Sequence, residues 1–180
     1  MADAYLLDTS IATIAWDGGH LSHKLVRGRL AALDDDFISV CAISIGEKEY
    51  GLQVSPGIDV ARSEAVRSAM LQYQVWPIDH HTSTYYGQLR GELFKRYASR
   101  DKHNRLKEKR PEALIDKTTA RELGIQENDL WIVSVAVQYD LQLITADKRI
   151  ERILEIARDV FGYDRANVWD ISAPPSATTP

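Results

Sequence analysis

Strands that alternate with helices predict an α/β fold for this chain, with a mainly parallel central sheet of about five strands and helices on both faces. Three observations carry that prediction. Short apolar runs recur along the chain: AYLL at Ala4–Leu7, FISVCAI at Phe37–Ile43, VWPI at Val75–Ile78, LQLI at Leu141–Ile144 and NVWDI at Asn167–Ile171. Longer stretches with helical spacing of apolar residues separate them. Helix-capping residues follow directly on several runs, as at Asp8-Thr9-Ser10, Ser44 and Asp79.

Length and composition suit one domain with a sizeable core, at 180 residues and 44% hydrophobic content. The net charge of −4 does not advertise a nucleic-acid or membrane partner in bulk. A single cysteine, Cys41, excludes a disulfide within the chain and favours a reducing compartment. Asp3 and Asp8 stand where a signal peptide would need a basic start and an apolar centre. No apolar run approaches the ~18 residues of a membrane span. A cytoplasmic protein with no membrane association is the expectation. There is no internal repeat.

In chain order, Ala4–Leu7 is the first strand, with Asp8 at its carboxyl end. Asp8 is either a helix cap or a strand-end functional carboxylate. Gly18-Gly19 breaks the first helix, and His20–Leu33 forms a second, basic one carrying Leu21, Leu25, Leu30 and Leu33. After the strand at Phe37–Ile43, Ser44 and Glu47 have capping-box spacing, a structural competitor for any functional role of Glu47. Gly51 within the following helix suggests close packing or an early end. Ser55-Pro56-Gly57 is a turn. Ile58–Tyr73 is a helix with Val60, Ala61, Ala65, Ala69 and Met70 available to pack. Pro77 puts the third strand at a sheet edge or marks its end.

Asp79 opens a long helix to about Tyr97. Its His80-His81 pair is not a zinc site, since neighbours on a helix do not face each other and no partners have zinc-site spacing. The stretch Lys95–Arg110 holds eight Lys or Arg against Asp101 and Glu108. It is either a solvated helix extension or a footprint for phosphates. Ala113–Leu123 is a further short helix ending at Gly124. Asn128 and Asp129 then open a helix with Leu130, Val133 and Val137 on one face and Ile132 and Ala136 beside it. Leu141–Ile144 reads as a buried parallel strand. Thr145-Ala146-Asp147 follows at its carboxyl end, where open α/β sheets bind ligands. Ile150–Val160 is helical, and Ala173–Pro180 is a disordered Pro/Ser/Thr tail.

Asp8, Glu47, Asp129 and Asp147 therefore fall at element ends. Four carboxylates with no matching histidine or cysteine cluster suit a hard cation such as Mg²⁺ or Mn²⁺. Crowded carboxylates repel unless a cation neutralises them. Phosphoryl transfer from a polynucleotide is the chemistry that needs such a site most, because metal ions activate water and stabilise the leaving oxygen.

LLDTS with Asp8, SIGEKEYG with Glu47 and Gly51, NDLWIVSVAV with Asp129 and LITADKR with Asp147 together resemble the PIN-domain ribonucleases, in particular the VapC-type toxins of toxin–antitoxin pairs. The resemblance runs from Ala4 to about Ile171. It implies an endoribonuclease that holds Mg²⁺ or Mn²⁺ on Asp8, Glu47, Asp129 and Asp147, with Thr9, Ser10, Asn128 and Thr145 supporting them. It also implies an RNA substrate, a homodimer and a cognate antitoxin whose C-terminal segment lies over the active-site groove. The last acidic position is the most variable in that family.

The nuclease domain is expected over residues 1–172, followed by the tail at 173–180. It departs from the small toxins by a basic helical insertion at about 98–123. Lys95, Arg96, Arg100, Lys102, Arg105, Lys107, Lys109 and Arg110 are candidates to hold the RNA backbone. Two competing readings keep the fold: an antitoxin-free nuclease of RNA processing, and a non-catalytic RNA-binding scaffold. A phosphatase with an aspartyl nucleophile would want a second Asp where Ser10 stands.

Overall fold

Leu6 and Leu7 have no exposed surface, and they place the first strand in the middle of the sheet. The structure, a computed structural model, describes residues 4–33, 37–57 and 59–172. Strands β1 (Tyr5–Leu7), β2 (Ile38–Cys41), β3 (Gln74–Trp76), β4 (Gln142–Thr145) and β5 (Ala166–Val168) form one sheet in the order β3-β2-β1-β4-β5. Every pairing is parallel. The fold class read from the sequence is thus the one observed: α/β, on an all-parallel five-stranded sheet. Chain direction across the sheet reverses at β1, which pairs β2 on one side and β4 on the other. The expected position of Pro77 holds, immediately after the edge strand β3.

The chain divides into two compact units. The first takes in the described residues up to Pro77, then Leu141–Asp147 and those from Ala166 onward. It contains the sheet and helices α1 (Thr9–Trp16), α2 (His23–Ala31), α3 (Ala42–Val54) and α4 (Val60–Met70). Its core joins Leu7, Ile11, Trp16, Leu30, Val66 and Ile144. Asp17, which ends α1, accepts a two-point contact from Arg62 of α4 at 3.0 and 2.7 Å. The Arg62 guanidinium holds the Asp17 carboxyl below the ordinary carboxylate value.

Several local expectations change in this unit. β2 stops at Cys41 and α3 starts at Ala42, with Cys41 at the N-cap. Ser44 therefore lies inside the first turn and cannot cap it, so the Ser44–Glu47 capping box does not form. Gly51 neither packs closely nor ends α3: a Cβ there would meet nothing within 4 Å, and the helix runs on to Val54. On α4 the buried face is Ser63, Val66 and Met70, while Val60, Ala61 and Ala65 are exposed. Ile58, the expected start of that helix, lies outside the described residues, as does the expected tail at 173–180.

The second unit comprises Ile78–Asp140 and Lys148–Arg165. It contains α5 (His80–Tyr97), α6 (Glu127–Gln138) and α7 (Glu151–Phe161). Asp79 caps α5 by accepting from the Thr82 amide at 2.9 Å, and it also receives Gln138 and Tyr139 from the end of α6. These donors, the Thr82 amide first, hold the Asp79 carboxyl far below its ordinary value. α6 is buried nearly all round, through Leu130, Ile132, Val133, Ser134, Val135 and Ala136, rather than along one stripe.

The stretch expected as a basic helical insertion is not helical. Between the ends of α5 and α6 its regular backbone among the described residues is one 3₁₀ turn, Pro111–Ala113, and two isolated antiparallel bridges, Arg100↔Leu106 and Ile115↔Glu122. The carboxylate of Asp101 takes the His103 and Arg105 amides, and that of Asp116 takes those of Thr118 and Thr119. Such local side-chain bonds offer the backbone an alternative to the helix. Asn104 and Ala120 complete the turns with φ of 62° and 56°. Among the described residues no helix is long and apolar enough to cross a membrane.

Candidate functional site

The carboxyl ends of β1 and β4 meet at the reversal of the sheet, the place where open α/β sheets bind ligands. Asp8 follows β1 there and is only 4% exposed. Its side chain caps α1, accepting the Thr9 amide at 2.8 Å on Oδ1. Its other oxygen accepts the Ser10 and Thr145 hydroxyls, both at 2.8 Å. The cap that sequence offered is therefore present, on a carboxylate that also stands at the end of β1.

Each hydroxyl around Asp8 is itself positioned. Thr145, the last residue of β4, accepts the Asp147 amide at 3.0 Å, and Ser10 accepts the Ala146 amide at 3.2 Å. The turn carrying Asp147 is therefore tied to Asp8 through two hydroxyl groups. Burial pushes the Asp8 carboxyl above its ordinary value. The bonds from Thr145, Ser10 and Thr9 oppose that shift, and the negative charge of Asp147 adds to it. Two carboxylates share this edge, one of them out of water.

Glu47 joins through Thr9. The Thr9 hydroxyl donates to Glu47 at 2.5 Å and lies 3.0 Å from the hydroxyl of the fully buried Ser44. With its capping role removed, Glu47 is held instead by a residue adjacent to Asp8. Sequence reasoning named Thr9 and Glu47 separately but missed their bond, because it depends on α3 starting two residues earlier than the apolar run suggests.

Asp129 and Asn128 belong to the second unit. Asp129 is the third residue of α6 and accepts the Gln126 amide at 2.8 Å, so it secures the start of its own helix. Next to it, Glu127 accepts Tyr86 and Arg90 from α5, the latter at 3.1 Å, and burial raises its carboxyl above the ordinary value. Trp131 stacks on Tyr86 with ring centres 3.7 Å apart and planes 3° from parallel. Sequence reasoning gave Glu127, Tyr86 and Arg90 no role. Their spacing on two separate helices offered no signal without the pairing of those helices.

The eight basic candidates divide. Arg96 pairs with Glu92 and Asp159, and Arg105 with Asp101. Lys95, which pairs with Glu92 at 3.4 Å, lines an open cavity described below together with Arg100 and Lys109, while Lys102, Lys107 and Arg110 are exposed. His80 and His81 are exposed, with ring centres 3.8 Å apart and planes tilted by 40°. Among the described residues, no three side chains of His, Cys, Asp and Glu form a group able to hold a metal ion. The donor set around Asp8 nevertheless has the chemistry of a hard cation's ligands: carboxylate and hydroxyl oxygens only.

The PIN domain family model matches residues 5–155, which span both units, and the chain belongs to that family. Solved structures share its fold at low identity. The VapBC2 structure from Rickettsia felis, bound to a DNA fragment from its promoter, is 22% identical with a TM-score of 0.58, covering 93% of this chain and 99% of that one. DNA-bound VapBC from Salmonella typhimurium is 16% identical with a TM-score of 0.60, covering 94% and 100%. FitAcB from Neisseria gonorrhoeae is 16% identical with a TM-score of 0.58, covering 94% and 99%. No curated protein sequence matches the chain.

Proposed function

We propose that this PIN-domain protein is a metal-dependent endoribonuclease and the toxin of a toxin–antitoxin pair. The observation that carries the reading is Asp8: a carboxylate buried at the sheet's reversal point, held by three donors and facing the charge of Asp147. A carboxylate whose burial works against its charge, beside a second carboxylate at a sheet's ligand-binding edge, is what a functional site uses, beyond what a helix cap requires.

Asp8, Glu47 and Asp147 are the residues of the first unit proposed to hold Mg²⁺ or Mn²⁺. Mg²⁺ binds through one or two carboxylates and keeps several waters, so a closed protein cage is not required. The bound ion supplies stabilisation of the charge that develops as a phosphodiester is hydrolysed. The chain's own residues orient the carboxylates. Thr9 aims Glu47, while Ser10 and Thr145 fix one Asp8 oxygen and the turn that bears Asp147. Asn128 is proposed to support Asp129 from the adjoining position.

The relatives in fold named above are complexes of VapBC and FitAcB, which supports a cognate antitoxin as partner here. An Arg or Lys from that partner would be drawn to the carboxylates. A homodimer in the cytoplasm completes the proposal. The test is cleavage of tRNA, rRNA and mRNA by the purified chain with Mg²⁺ or Mn²⁺ against EDTA, with and without the product of any small neighbouring gene. Cleavage that requires the cation and is suppressed by the neighbour's product supports the reading. Cleavage that survives chelation removes the metal, and cation-dependent cleavage with no suppressor removes the toxin role alone.

A further inference from the structure

The second unit holds an open cavity of about 410 Å³ between α5 and the non-helical segment that follows it. That size lies within the usual range for small-ligand sites, roughly 300–1,000 Å³. Tyr86, Arg90, Lys95, Arg100, Glu108 and Lys109 are among its walls. Four cations therefore face one carboxylate, in a chain whose net charge is −4.

The bonding of these groups decides what the cavity can take. Glu108 is turned to Ser99, with one oxygen accepting the Ser99 amide at 2.7 Å and the other the Ser99 hydroxyl at 2.5 Å. Arg90 is a fixed strut: it donates to Glu127 and to the Lys109 carbonyl, and its guanidinium lies 4.7 Å from the Phe94 ring centre. It joins the segment to α5. Arg100 and Lys109 each donate to a backbone carbonyl, of Asn104 and Leu106, and among the described residues neither pairs with a carboxylate. Their positive charge is uncompensated. Tyr86 is braced by its stack on Trp131 and its bond to Glu127, a rigid aromatic wall in the same cavity.

The floor is bare helix. Gly87 and Gly91 stand one turn apart on α5, both line the cavity, and a Cβ at either would meet nothing within 4 Å. Two glycines inside a helix cost about 1 kcal/mol each against alanine. Here their absent side chains leave the cavity open.

We propose that this cavity is a nucleotide-binding subsite. It takes one nucleoside phosphate unit of a single-stranded polynucleotide, its phosphate against Arg100, Lys109 and Lys95 and its base against Tyr86. Lys95 shares Glu92 with Arg96, at 3.4 Å, so Arg100 and Lys109 supply the uncompensated charge; such cations beside a braced aromatic ring are the elements by which single strands are held without sequence preference. The inference rests on the nuclease reading for its choice of a strand as ligand. It narrows the basic run to three of its eight members and gives Tyr86 a role that charge alone would not.

The test uses the full chain carrying Asp8→Asn, in Mg²⁺, with a fluorescein-labelled eight-nucleotide single-stranded RNA followed by anisotropy across a salt series. Gly91→Leu fills the cavity from its floor while improving helix propensity, so thermal melting at or above the parent's temperature checks the fold. It should weaken binding by about fivefold or more, the loss expected for one stacked base. Arg100→Gln with Lys109→Gln should flatten the slope of log affinity against log salt by about 1.4, at about 0.7 per phosphate contact. Displacement of the strand by millimolar 5′-AMP identifies a subsite that accepts a free nucleotide. Failure of AMP to compete, with both variants impaired, identifies the strand as the ligand. Both variants binding RNA with the parent's affinity and salt slope overturns the proposal, and if they also escape neutralisation by an antitoxin the surface belongs to a protein partner. A wild-type chain that never cleaves RNA while these variants lose binding removes the nuclease reading and leaves the subsite standing.

Discussion

Replacing Thr145 by valine keeps the shape of a fully buried side chain and removes one hydroxyl. That hydroxyl donates to Asp8 at 2.8 Å and accepts the Asp147 amide at 3.0 Å. A hydrogen bond to a charged group contributes about 1.5–3 kcal/mol. Asp8 would keep the Thr9 amide and the Ser10 hydroxyl, so the loss should fall within that range rather than above it. For a urea dependence of about 2 kcal/mol per molar, the unfolding midpoint should drop by about 1 M. The turn bearing Asp147 also loses an anchor, so the rate of RNA cleavage should fall by about tenfold, as for other outer-shell partners. Urea unfolding followed by circular dichroism reads the first effect, and single-turnover cleavage the second. An unchanged midpoint would refute the claim that Thr145 satisfies a buried charge. An unchanged rate with a lowered midpoint would refute the claim that it positions the site.

Glu47→Gln keeps an acceptor for the Thr9 hydroxyl while deleting the charge, so the melting temperature should hold and cleavage should fall by at least about tenfold. Full activity in that variant would return Glu47 to a structural role. Asp79→Asn should alter the acid limb of stability. The folded Asp79 carboxyl lies below its ordinary 3.8 because Thr82, Gln138 and Tyr139 donate to it. Its contribution is therefore complete above 3.8 and disappears as pH falls further through the folded value. Melting at neutral pH against melting near pH 3 should show wild type losing stability steeply and the variant less so; parallel pH curves would contradict this.

A mainly parallel five-stranded sheet was legible because each strand is a short apolar run between helical spacings, and the structure makes every pairing parallel. The positions of Asp8 and Asp147 beside the sheet's carboxyl edge were legible because each follows closely on an apolar run, and Asp8 does cap the next helix as its spacing suggested. What sequence hid was set by single residues of register and by local competition. α3 begins at Ala42 rather than after Ser44, which turns Ser44 from a cap into a buried partner of Thr9. The segment after α5 has a helix-like charge pattern, yet Asp101 and Asp116 take its amides into turns, and no periodicity count registers that competition. The cavity beside α5 needed both facts at once: a helix bare at Gly87 and Gly91, and a loop folded back by Arg90 to close it.

The central claim is that Asp8 serves catalysis at the expense of the fold. Burial raises the Asp8 carboxyl above its unfolded value, so its charge opposes folding at neutral pH in the metal-free chain. Asparagine removes that charge and keeps one acceptor oxygen for the Ser10 and Thr145 hydroxyls, while its amide nitrogen gives up the bond from the Thr9 amide. The measurement is Asp8→Asn, with Mg²⁺-dependent RNA cleavage and metal-free thermal melting recorded on the same preparation. Cleavage should fall beyond the roughly 10–100-fold cost of losing a supporting partner, while relief of the buried charge offsets the lost cap bond and the melting temperature stays close to the parent's. Retained cleavage, or a marked fall in melting temperature with cleavage intact, would make Asp8 a helix cap and nothing more.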